Sequence, residues 1–246
     1  MHNTKIILSY DGSDFYGWQR QKDVRTVQQT LEEVLEQLSG GIKITCHASG
    51  RTDTGVHAVG QVVHFHSELR LPPEKLCLAM NSLLPADVVV RSVERVPDDF
   101  HATTSAKRKL YRYVINDARV QDVFLRKYAW FFPFHPLDHE KMHEAAQFLQ
   151  GEHDFRCFET DWPTRKSSVR TITHIAVNRA GEFLWLDVEA NGFLYNMVRA
   201  ITGTLVQVGR GYWPVEKVKE ILEGGKRTEA GPTAPPSGLF LMRVTY

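Results

Sequence analysis

The sequence of 246 residues is poor in cysteine and has no long apolar run. Its three cysteines, Cys46, Cys77 and Cys157, are widely separated and form no C-x-x-C pair, which argues against a disulfide framework and a zinc knuckle. No stretch approaches the roughly 20 apolar residues of a membrane span, and the amino terminus lacks the apolar core of a signal peptide. These absences predict a cytoplasmic protein with no membrane partner.

The formal net charge of +1 conceals an uneven distribution along the chain. Residues 1–104 carry 10 Lys and Arg against 13 Asp and Glu, a net charge of −3, and residues 105–246 carry a net charge of +4. The excess is greatest between Lys107 and Lys127, where seven basic residues face two acidic ones. Because phosphate binding needs a local field, this stretch permits an RNA or DNA partner, although a solvated basic surface explains it equally well.

Short β-like runs alternate with amphipathic helices, and the pattern occurs twice along the chain. In the first half, Thr26 and Gln29 form a capping box, and Gly40-Gly41 predicts the end of the helix. The strands predicted for this half are 5–10, 43–47, 58–67 and 88–96, and a second helix follows Pro72-Pro73. The second half is predicted to contain strands at 109–115, 168–178, 182–190 and 239–246, with helices from Asp138, over 195–208 and over 214–222.

This element order predicts an α+β fold of two ferredoxin-like (RRM-like) α/β units side by side. We expect them to form one extended mixed or antiparallel sheet, with helices on one face and a catalytic cleft on the other. A boundary near 100–106 would give an amino-terminal α+β domain of residues 1–104, carrying a loop around Asp53. Residues 105–246 would form a carboxy-terminal α+β domain with a basic, aromatic strand.

The segment GRTDTGVHA (50–58) contains the Asp-Thr-Gly triplet of aspartic proteases. Those enzymes need two carboxylates that share a proton, so a chain with one triplet would have to dimerise around it. Here the preceding residues are polar and basic, and Arg51 would keep Asp53 ionised rather than let it share a proton. A protease is therefore disfavoured. A surface turn in which Asp53 caps the chain and pairs with Arg51 stays open from this loop alone.

A second segment, KRKLYRYVI (107–115), interleaves basic and aromatic residues. Tyr111 and Tyr113 lie two apart on a predicted strand and so point to the same face, beside the possible phosphate-binding residues Lys107, Arg108 and Lys109. This combination suits RNA, and the alternative is that both tyrosines are ordinary core or sheet-surface aromatics.

Metal binding is not expected, although the sequence has 11 histidines. Neither the pair His64 and His66 nor the run His135, His139 and His143 has the H-E-x-x-H pattern of a zinc site.

Five segments of the sequence occur in an order that is characteristic of one family. The chain resembles the bacterial tRNA pseudouridine synthase A family in YDGSDFYGWQRQKDVRTVQ (10–28), GRTDTGVHA (50–58), KLYRYVI (109–115), FLYNMVRAITGTLVQVGRG (193–211) and SGLFLMRVTY (237–246). The resemblance extends from Tyr10 to the last residue. A chance match to one such motif is easy, whereas five in order are not.

The resemblance implies a cofactor-free isomerase that converts uridine to pseudouridine at positions 38–40 of the tRNA anticodon stem-loop. By the same resemblance, Asp53 is the catalytic nucleophile and Arg199 pairs with its carboxylate. Tyr111 contacts the target uracil, Arg51 holds the flipped nucleotide, and Leu239 lines the base pocket. One departure is Thr54, where the family more often has Ala.

The family resemblance also implies a homodimer in which each tRNA touches both subunits. The sequence offers only the aromatic run YAWFFPFHP (128–136) as an interface, and a core strand explains that run equally well.

Two functions of other classes stay open. One is a non-catalytic RNA-binding module built from paired RRM-like sheets, and the other is a dimeric aspartic protease. The carboxylate loop separates the RNA-binding module from the leading hypothesis, because a pure RNA binder has no use for an Asp neutralised by a helix-borne Arg.

Overall fold

The computed structural model of the protein describes residues 1–134, 136–160 and 167–246, so that His135 lies outside the described residues. These residues fall into two compact units, a first unit of Met1–Lys107 with Phe240–Tyr246 and a second unit of Arg108–Leu239. Ten strands occur in the described residues: β1 (His2–Tyr10), β2 (His47–Ala48), β3 (His57–Ser67), β4 (Val88–Arg95), β5 (Arg108–Asn116), β6 (Trp130–Phe131), β7 (Gly151–Asp154), β8 (Val169–Ala180), β9 (Phe183–Ala190) and β10 (Leu239–Thr245). The five α-helices found there are α1 (Val27–Leu38), α2 (Pro73–Leu83), α3 (His139–Gln147), α4 (Met197–Gly209) and α5 (Lys217–Gly224). Short 3-10 turns occur at Gly12–Asp14, Arg156–Phe158, Arg227–Glu229 and Pro236–Gly238.

The first unit is built on strands in the order β4-β1-β3-β10. Strand β1 is antiparallel to both β3 and β4, whereas β10 runs parallel to β3, with Phe240 opposite His57. Alternate residues of β1 are buried, as the period of two requires for a sheet with one face on a core. The core also takes Leu31 and Leu35 of α1 with Leu76 and Met80 of α2, all fully buried.

Helix α1 begins and ends where its sequence predicts. The Thr26 hydroxyl accepts a hydrogen bond from the Gln29 amide at 3.4 Å, which satisfies one amide of the first turn. Beyond the helix, Gly40 and Gly41 have φ values of +71° and +94°, a conformation that favours glycine. The start and the end of the helix are confirmed, but only the Thr26 half of the capping box is observed, because the Gln29 side chain donates to the Glu33 carboxylate at 2.8 Å.

The second unit contains a fully antiparallel run of strands in the order β5-β9-β8-β7. Helix α3 is capped by Asp138, whose carboxylate accepts from the Lys141 amide at 3.1 Å. Helix α4 is almost entirely buried, which fits its apolar sequence and the two small residues Gly203 and Gly209. A side chain at Gly203 would overlap the carbonyl of Pro232, so this glycine lets the chain pass directly against the helix.

Several predicted elements differ in extent from those observed: β1, predicted over 5–10, begins at His2, and α5, predicted over 214–222, spans Lys217–Gly224. The strand predicted over 43–47 is wrong, because only His47 and Ala48 pair with β3. Side chains of α1 take the backbone groups of Cys46 instead: the Glu32 carboxylate accepts from its amide at 3.0 Å, and the Gln28 amide donates to its carbonyl at 3.2 Å. The helix predicted from 195 starts at Met197, because Asn196 has a φ of +60° and cannot be helical.

The last strand, β10, shows that the first unit is not continuous in sequence. The predicted carboxy-terminal domain spans residues 105–246, but Phe240–Tyr246 group with the first unit. The reason is the parallel pairing of β10 with β3, a long-range contact that a single boundary in sequence cannot express. The α+β class is confirmed. In the parts of the chain that the structure describes, no helix has the length and apolarity that crossing a membrane requires.

A cluster of histidines occupies one end of β3 in the first unit. The His64 ring is 5.1 Å from His47 and 4.6 Å from His101, measured between ring centroids, and only 2% of His64 is exposed. Its Nδ1 accepts a hydrogen bond from the Ala102 amide at 3.2 Å, which requires the neutral ring. Burial, together with the neighbouring imidazoles, lowers the pKa of His64 to about 4.

We expect the stability of the protein to decrease as the pH falls from about 6.5 towards 4. Over that range the unfolded chain binds a proton at His64 that the folded chain does not, and the associated loss is on the order of 2 kcal/mol. Urea unfolding followed from pH 8 to pH 4.5 measures it. His64→Gln should flatten this dependence, while His174→Gln, at an exposed position of β8, should not. An identical pH dependence in His64→Gln and the parent protein contradicts the assignment.

Candidate active site

Asp53 lies in a loop between β2 and β3, here called the Asp53 loop (residues 49–56). Its second half is a tight turn in which the Val56 amide donates to the Asp53 carbonyl at 3.1 Å. Gly55 has a φ of +77°, the conformation that the third residue of a type II turn needs. Thr54 and Gly55 of the triplet are therefore the two central residues of this turn. Asp53 itself is half-buried, and Arg51 is exposed.

The segment from Tyr10 to Trp18, here called the β1–α1 segment, leads from the end of β1 towards α1 and packs directly on the Asp53 loop. The Trp18 amide donates to the Thr52 carbonyl at 3.0 Å, and the Gly55 amide donates to the Phe15 carbonyl at 3.3 Å. A Cβ at Gly17, where φ is +78°, would come within 2.6 Å of the Thr52 carbonyl oxygen. Two of the motifs that carry the family resemblance, 10–28 and 50–58, therefore pack against each other in the first unit.

The start of the Asp53 loop is held by Gln61 of β3, a fully buried side chain. The Gln61 amide nitrogen donates to the Gly50 carbonyl at 2.8 Å, and its oxygen accepts from the Ser49 hydroxyl at 2.7 Å. The Ser49 amide in turn donates to the Val62 carbonyl at 2.8 Å. The backbone on both sides of Asp53 is therefore fixed by buried partners.

His57, the last residue of the Gly-Val-His sequence, contacts the β1–α1 segment. Its Nδ1 accepts from the Gly12 amide at 3.0 Å, and its ring stacks on Phe240 at 4.7 Å between centroids. Only 1% of His57 is exposed. We conclude that His57 links β3 to the β1–α1 segment and holds the two together.

Arg199 lies in the first turn of α4, in the second unit, and is half-buried. Its Nε donates to the Ala234 carbonyl and its Nη1 to the Asn196 side-chain oxygen, each at 2.7 Å. Asn196 is fixed in turn, because its side-chain nitrogen donates to the Thr160 hydroxyl at 3.0 Å. The guanidinium is thus oriented by its own unit. Its pairing with Asp53 stays a prediction.

Tyr111 and Tyr113 of β5 are both buried, with exposed fractions of 8% and 0%. The Tyr111 ring meets Phe193 edge to face at 5.0 Å between centroids. The Tyr113 hydroxyl donates to the Pro235 carbonyl at 2.7 Å, and burial raises the pKa of Tyr113 well above its usual value. Tyr113 therefore has a structural role in the core.

Leu239 begins β10 and is 6% exposed. The residue before it, Gly238, lies so close to β5 that a Cβ would approach the Val114 carbonyl oxygen to 2.5 Å. The Ser-Gly-Leu sequence therefore places Leu239 against a strand that also carries Tyr111.

The basic stretch that begins at Lys107 is less cationic than its sequence indicates. Arg108 lies 3.6 Å from the Glu189 carboxylate, and Arg112 makes two hydrogen bonds of 2.7 Å to Asp187. Burial lowers the pKa of Lys109. Lys107 remains exposed. The acidic partners lie on β9, the neighbouring strand, which sequence order did not reveal.

The residues that hold the site together, chiefly Tyr10, Gln61 and Asn196, are not evident from the sequence. Gln61 is a polar residue inside a predicted strand, and the structure shows that its position is buried. Among the residues that the structure describes, no group of three or more His, Cys, Asp or Glu side chains is arranged to hold a metal ion.

Comparison with known proteins decides the family. The family described as tRNA pseudouridine synthase matches residues 6–104 and 145–246. The tRNA pseudouridine synthase A of Thermoanaerobacter sp. (strain X514) is 43% identical over 246 residues, which is 100% of this chain and 100% of that protein. The chain belongs to the tRNA pseudouridine synthase family. The tRNA pseudouridine synthase A of Pseudoalteromonas atlantica is 48% identical over 240 residues, covering 97% of this chain and 90% of that protein.

Membership of the tRNA pseudouridine synthase family confirms the predicted family and the prediction of an RNA-modifying isomerase. The non-catalytic RNA-binding module and the aspartic protease are not favoured. Among solved structures, a chain from the crystal structure of a Cbf5-Nop10-Gar1 complex aligns with a TM-score of 0.33 and 13% identity. That alignment covers 96% of this chain and 57% of the other, and its score is too low to show a common fold.

We expect Gly17→Ala to disturb the Asp53 loop of this pseudouridine synthase. Alanine at a positive φ costs about 1–2 kcal/mol, and the overlap with Thr52 adds to it. Gly40→Ala is the matched control, because Gly40 has a similar φ of +71° but no atom within 4 Å of an added Cβ. Urea unfolding and pseudouridine formation measure both variants. Equal effects of the two substitutions contradict a specific contact with the loop.

Proposed function

We propose that this pseudouridine synthase isomerises uridine to pseudouridine at positions 38–40 of the tRNA anticodon stem-loop, with Asp53 as the catalytic carboxylate. The observation that carries the proposal is the half-buried carboxylate of Asp53 on a loop fixed from both sides. Such rigidity is costly on a surface loop and is expected where a reacting group must be held in place.

The chemistry requires a group of this kind. The bond between C1′ and N1 of the nucleotide breaks and a bond between C1′ and C5 forms. The proton on C5 leaves and N1 gains a proton, so that atoms and electrons balance with no added reagent. A carboxylate can bond transiently to the ribose or the base, or remove a sugar proton. Attack at C1′, attack at C6 and a route through a glycal are all compatible with Asp53.

The carboxylate must stay ionised in a pocket that excludes water. Burial alone would raise its pKa, and an adjacent guanidinium opposes that rise. We assign this counter-ion role to Arg199, in keeping with the resemblance to the family. Support comes from the hydrogen bonds to the Ala234 carbonyl and the Asn196 side-chain oxygen, two neutral groups that fix the orientation of the guanidinium.

The target base lies inside a folded stem and must be flipped out before it can react. We propose that Tyr111 contacts the flipped uracil and that Leu239 lines its pocket, while the exposed Arg51 holds the nucleotide. Lys107, Arg108 and Lys109 would contact the RNA backbone. The ion pair of Arg108 with Glu189 means that its phosphate contact would require an exchange of partners.

Asp53→Asn should abolish pseudouridine formation and leave tRNA binding largely intact, since it removes the charge but keeps the shape. Tritium release from C5-labelled tRNA measures turnover, and filter binding measures affinity. Asp98→Asn, at an exposed position of the same unit, is the matched control and should keep full activity. Site-resolved mapping on unmodified transcripts should find the product at positions 38–40. Undiminished product from Asp53→Asn would falsify the assignment.

We also propose that the protein acts as a homodimer, as the family resemblance implies. In the segment 120–134 of the second unit, large apolar side chains point outward: Val120 is 80% exposed, Phe124 83% and Phe134 66%. Several exposed apolar side chains within one short segment are typical of an interaction surface. Part of the aromatic run 128–136 instead contacts its own unit, because Trp130 and Phe131 pair with β5 and Phe132 is buried.

Phe124→Asp should shift the protein from dimer to monomer in sedimentation equilibrium, because it introduces a charge into the proposed apolar interface. Leu78→Asp is the control, since Leu78 is 72% exposed on α2 in the first unit. A dimer unaffected by Phe124→Asp would place the interface elsewhere, and a monomeric parent protein would remove the proposal.

A further inference from the structure

Thr52, the residue immediately before Asp53, is held more tightly than its place in a loop requires. Its hydroxyl and the Tyr10 hydroxyl share a hydrogen bond of 2.7 Å. Its carbonyl accepts from the Trp18 amide at 3.0 Å, and Gly17 lies against the same carbonyl. Both the side chain and the backbone of this one residue are therefore fixed by the β1–α1 segment.

The hydrogen bond between Tyr10 and Thr52 lies inside the protein. Tyr10 and Thr52 are each only 5% exposed, and the neighbouring Gln61 is fully buried. Taking hydroxyl groups out of water is costly, and phenylalanine and valine would fill the same space without that cost. A buried polar pair of this kind contributes mainly by specifying one arrangement of the groups it joins.

The pair belongs to a larger chain of polar contacts around the Asp53 loop. Gln61 holds Ser49 and Gly50, as described above, and its side chain also interacts with the Tyr10 hydroxyl. Burial raises the pKa of Tyr10 to about 12, so its hydroxyl keeps its proton at neutral pH. The bond is thus available as a constant restraint.

We propose that Tyr10 and Thr52 are positioning residues that set the carboxylate of Asp53 in its reactive orientation. Neither is a catalytic residue, because each acts through Asp53. The inference rests on the proposed role of Asp53. Misplacing a reacting group by about 1 Å can slow a reaction by roughly a hundredfold, so a restraint on the adjacent residue has direct kinetic consequences.

Tyr10→Phe tests the proposal because it deletes one hydroxyl and keeps the ring. We expect turnover at saturating tRNA to fall by about tenfold or more, with tRNA affinity changed less than about twofold. Thr52→Val removes the other half of the same bond and should have the same effect. Thr52→Ser keeps the hydroxyl and should restore most of the turnover.

The double variant Tyr10→Phe with Thr52→Val sharpens the test. Two groups that act through one bond give a double variant no slower than either single one. Tyr246→Phe is the matched control, because it removes another hydroxyl from the first unit, one that donates to the Ala102 carbonyl at 2.8 Å. That variant should keep its turnover, and thermal unfolding should show comparable stability losses for Tyr10→Phe and Tyr246→Phe.

Normal turnover in Tyr10→Phe overturns the proposal, as does an equal loss in Tyr246→Phe or a multiplied loss in the double variant. If Tyr10→Phe does not fold, Thr52→Val and Thr52→Ser make the same comparison from the other side of the bond. The role of Asp53 is judged separately. Normal turnover in Tyr10→Phe beside an inactive Asp53→Asn removes only the positioning role, whereas an active Asp53→Asn removes the proposed function itself.

Discussion

The close contact between the Asp53 loop and the β1–α1 segment is the constraint on which the first unit depends. The loop contains no helix or strand of its own, since it lies between the end of β2 at Ala48 and the start of β3 at His57. It gains its shape from backbone that approaches within van der Waals distance, which only the glycines at 12 and 17 permit. The position of the carboxylate is therefore fixed by β1 and β3, which pair with each other from His2 to Tyr10. A charged group on a rigid support loses little energy to reorganisation during a reaction.

The second unit supports its charged group by a different route. Arg199 extends from a helix that is buried along nearly its whole length, and the left-handed residue Asn196 both starts that helix and orients the guanidinium. Here the restraint is a helix terminus, whereas in the first unit it is a loop pressed on a strand. Both arrangements hold a side chain through neighbours that are themselves fixed, which is what a site for a tightly oriented substrate requires.

Periodicity and capping residues were sufficient to locate most helices and strands, because those signals are local. The strand predicted over 43–47 failed for a reason that is not local: Glu32 and Gln28 take the backbone groups of Cys46 that a strand would have paired. Charge was misleading in a similar way. The basic stretch reads as a phosphate-binding surface until β9 brings Asp187 and Glu189 beside Arg112 and Arg108.

The sequence by itself determined most of the secondary structure, the family and the candidate carboxylate, because each rests on residue types at short, fixed spacings. Only the tertiary structure decided which polar side chains are buried together. Tyr10 and Thr52 are 42 positions apart, and they meet because β1 and β3 pair in one register, with Tyr10 opposite Ala58. A shift of one residue would turn Tyr10 to the other face of the sheet. The same physics assigns the final strand to the first unit, since backbone pairing follows geometry and not chain order.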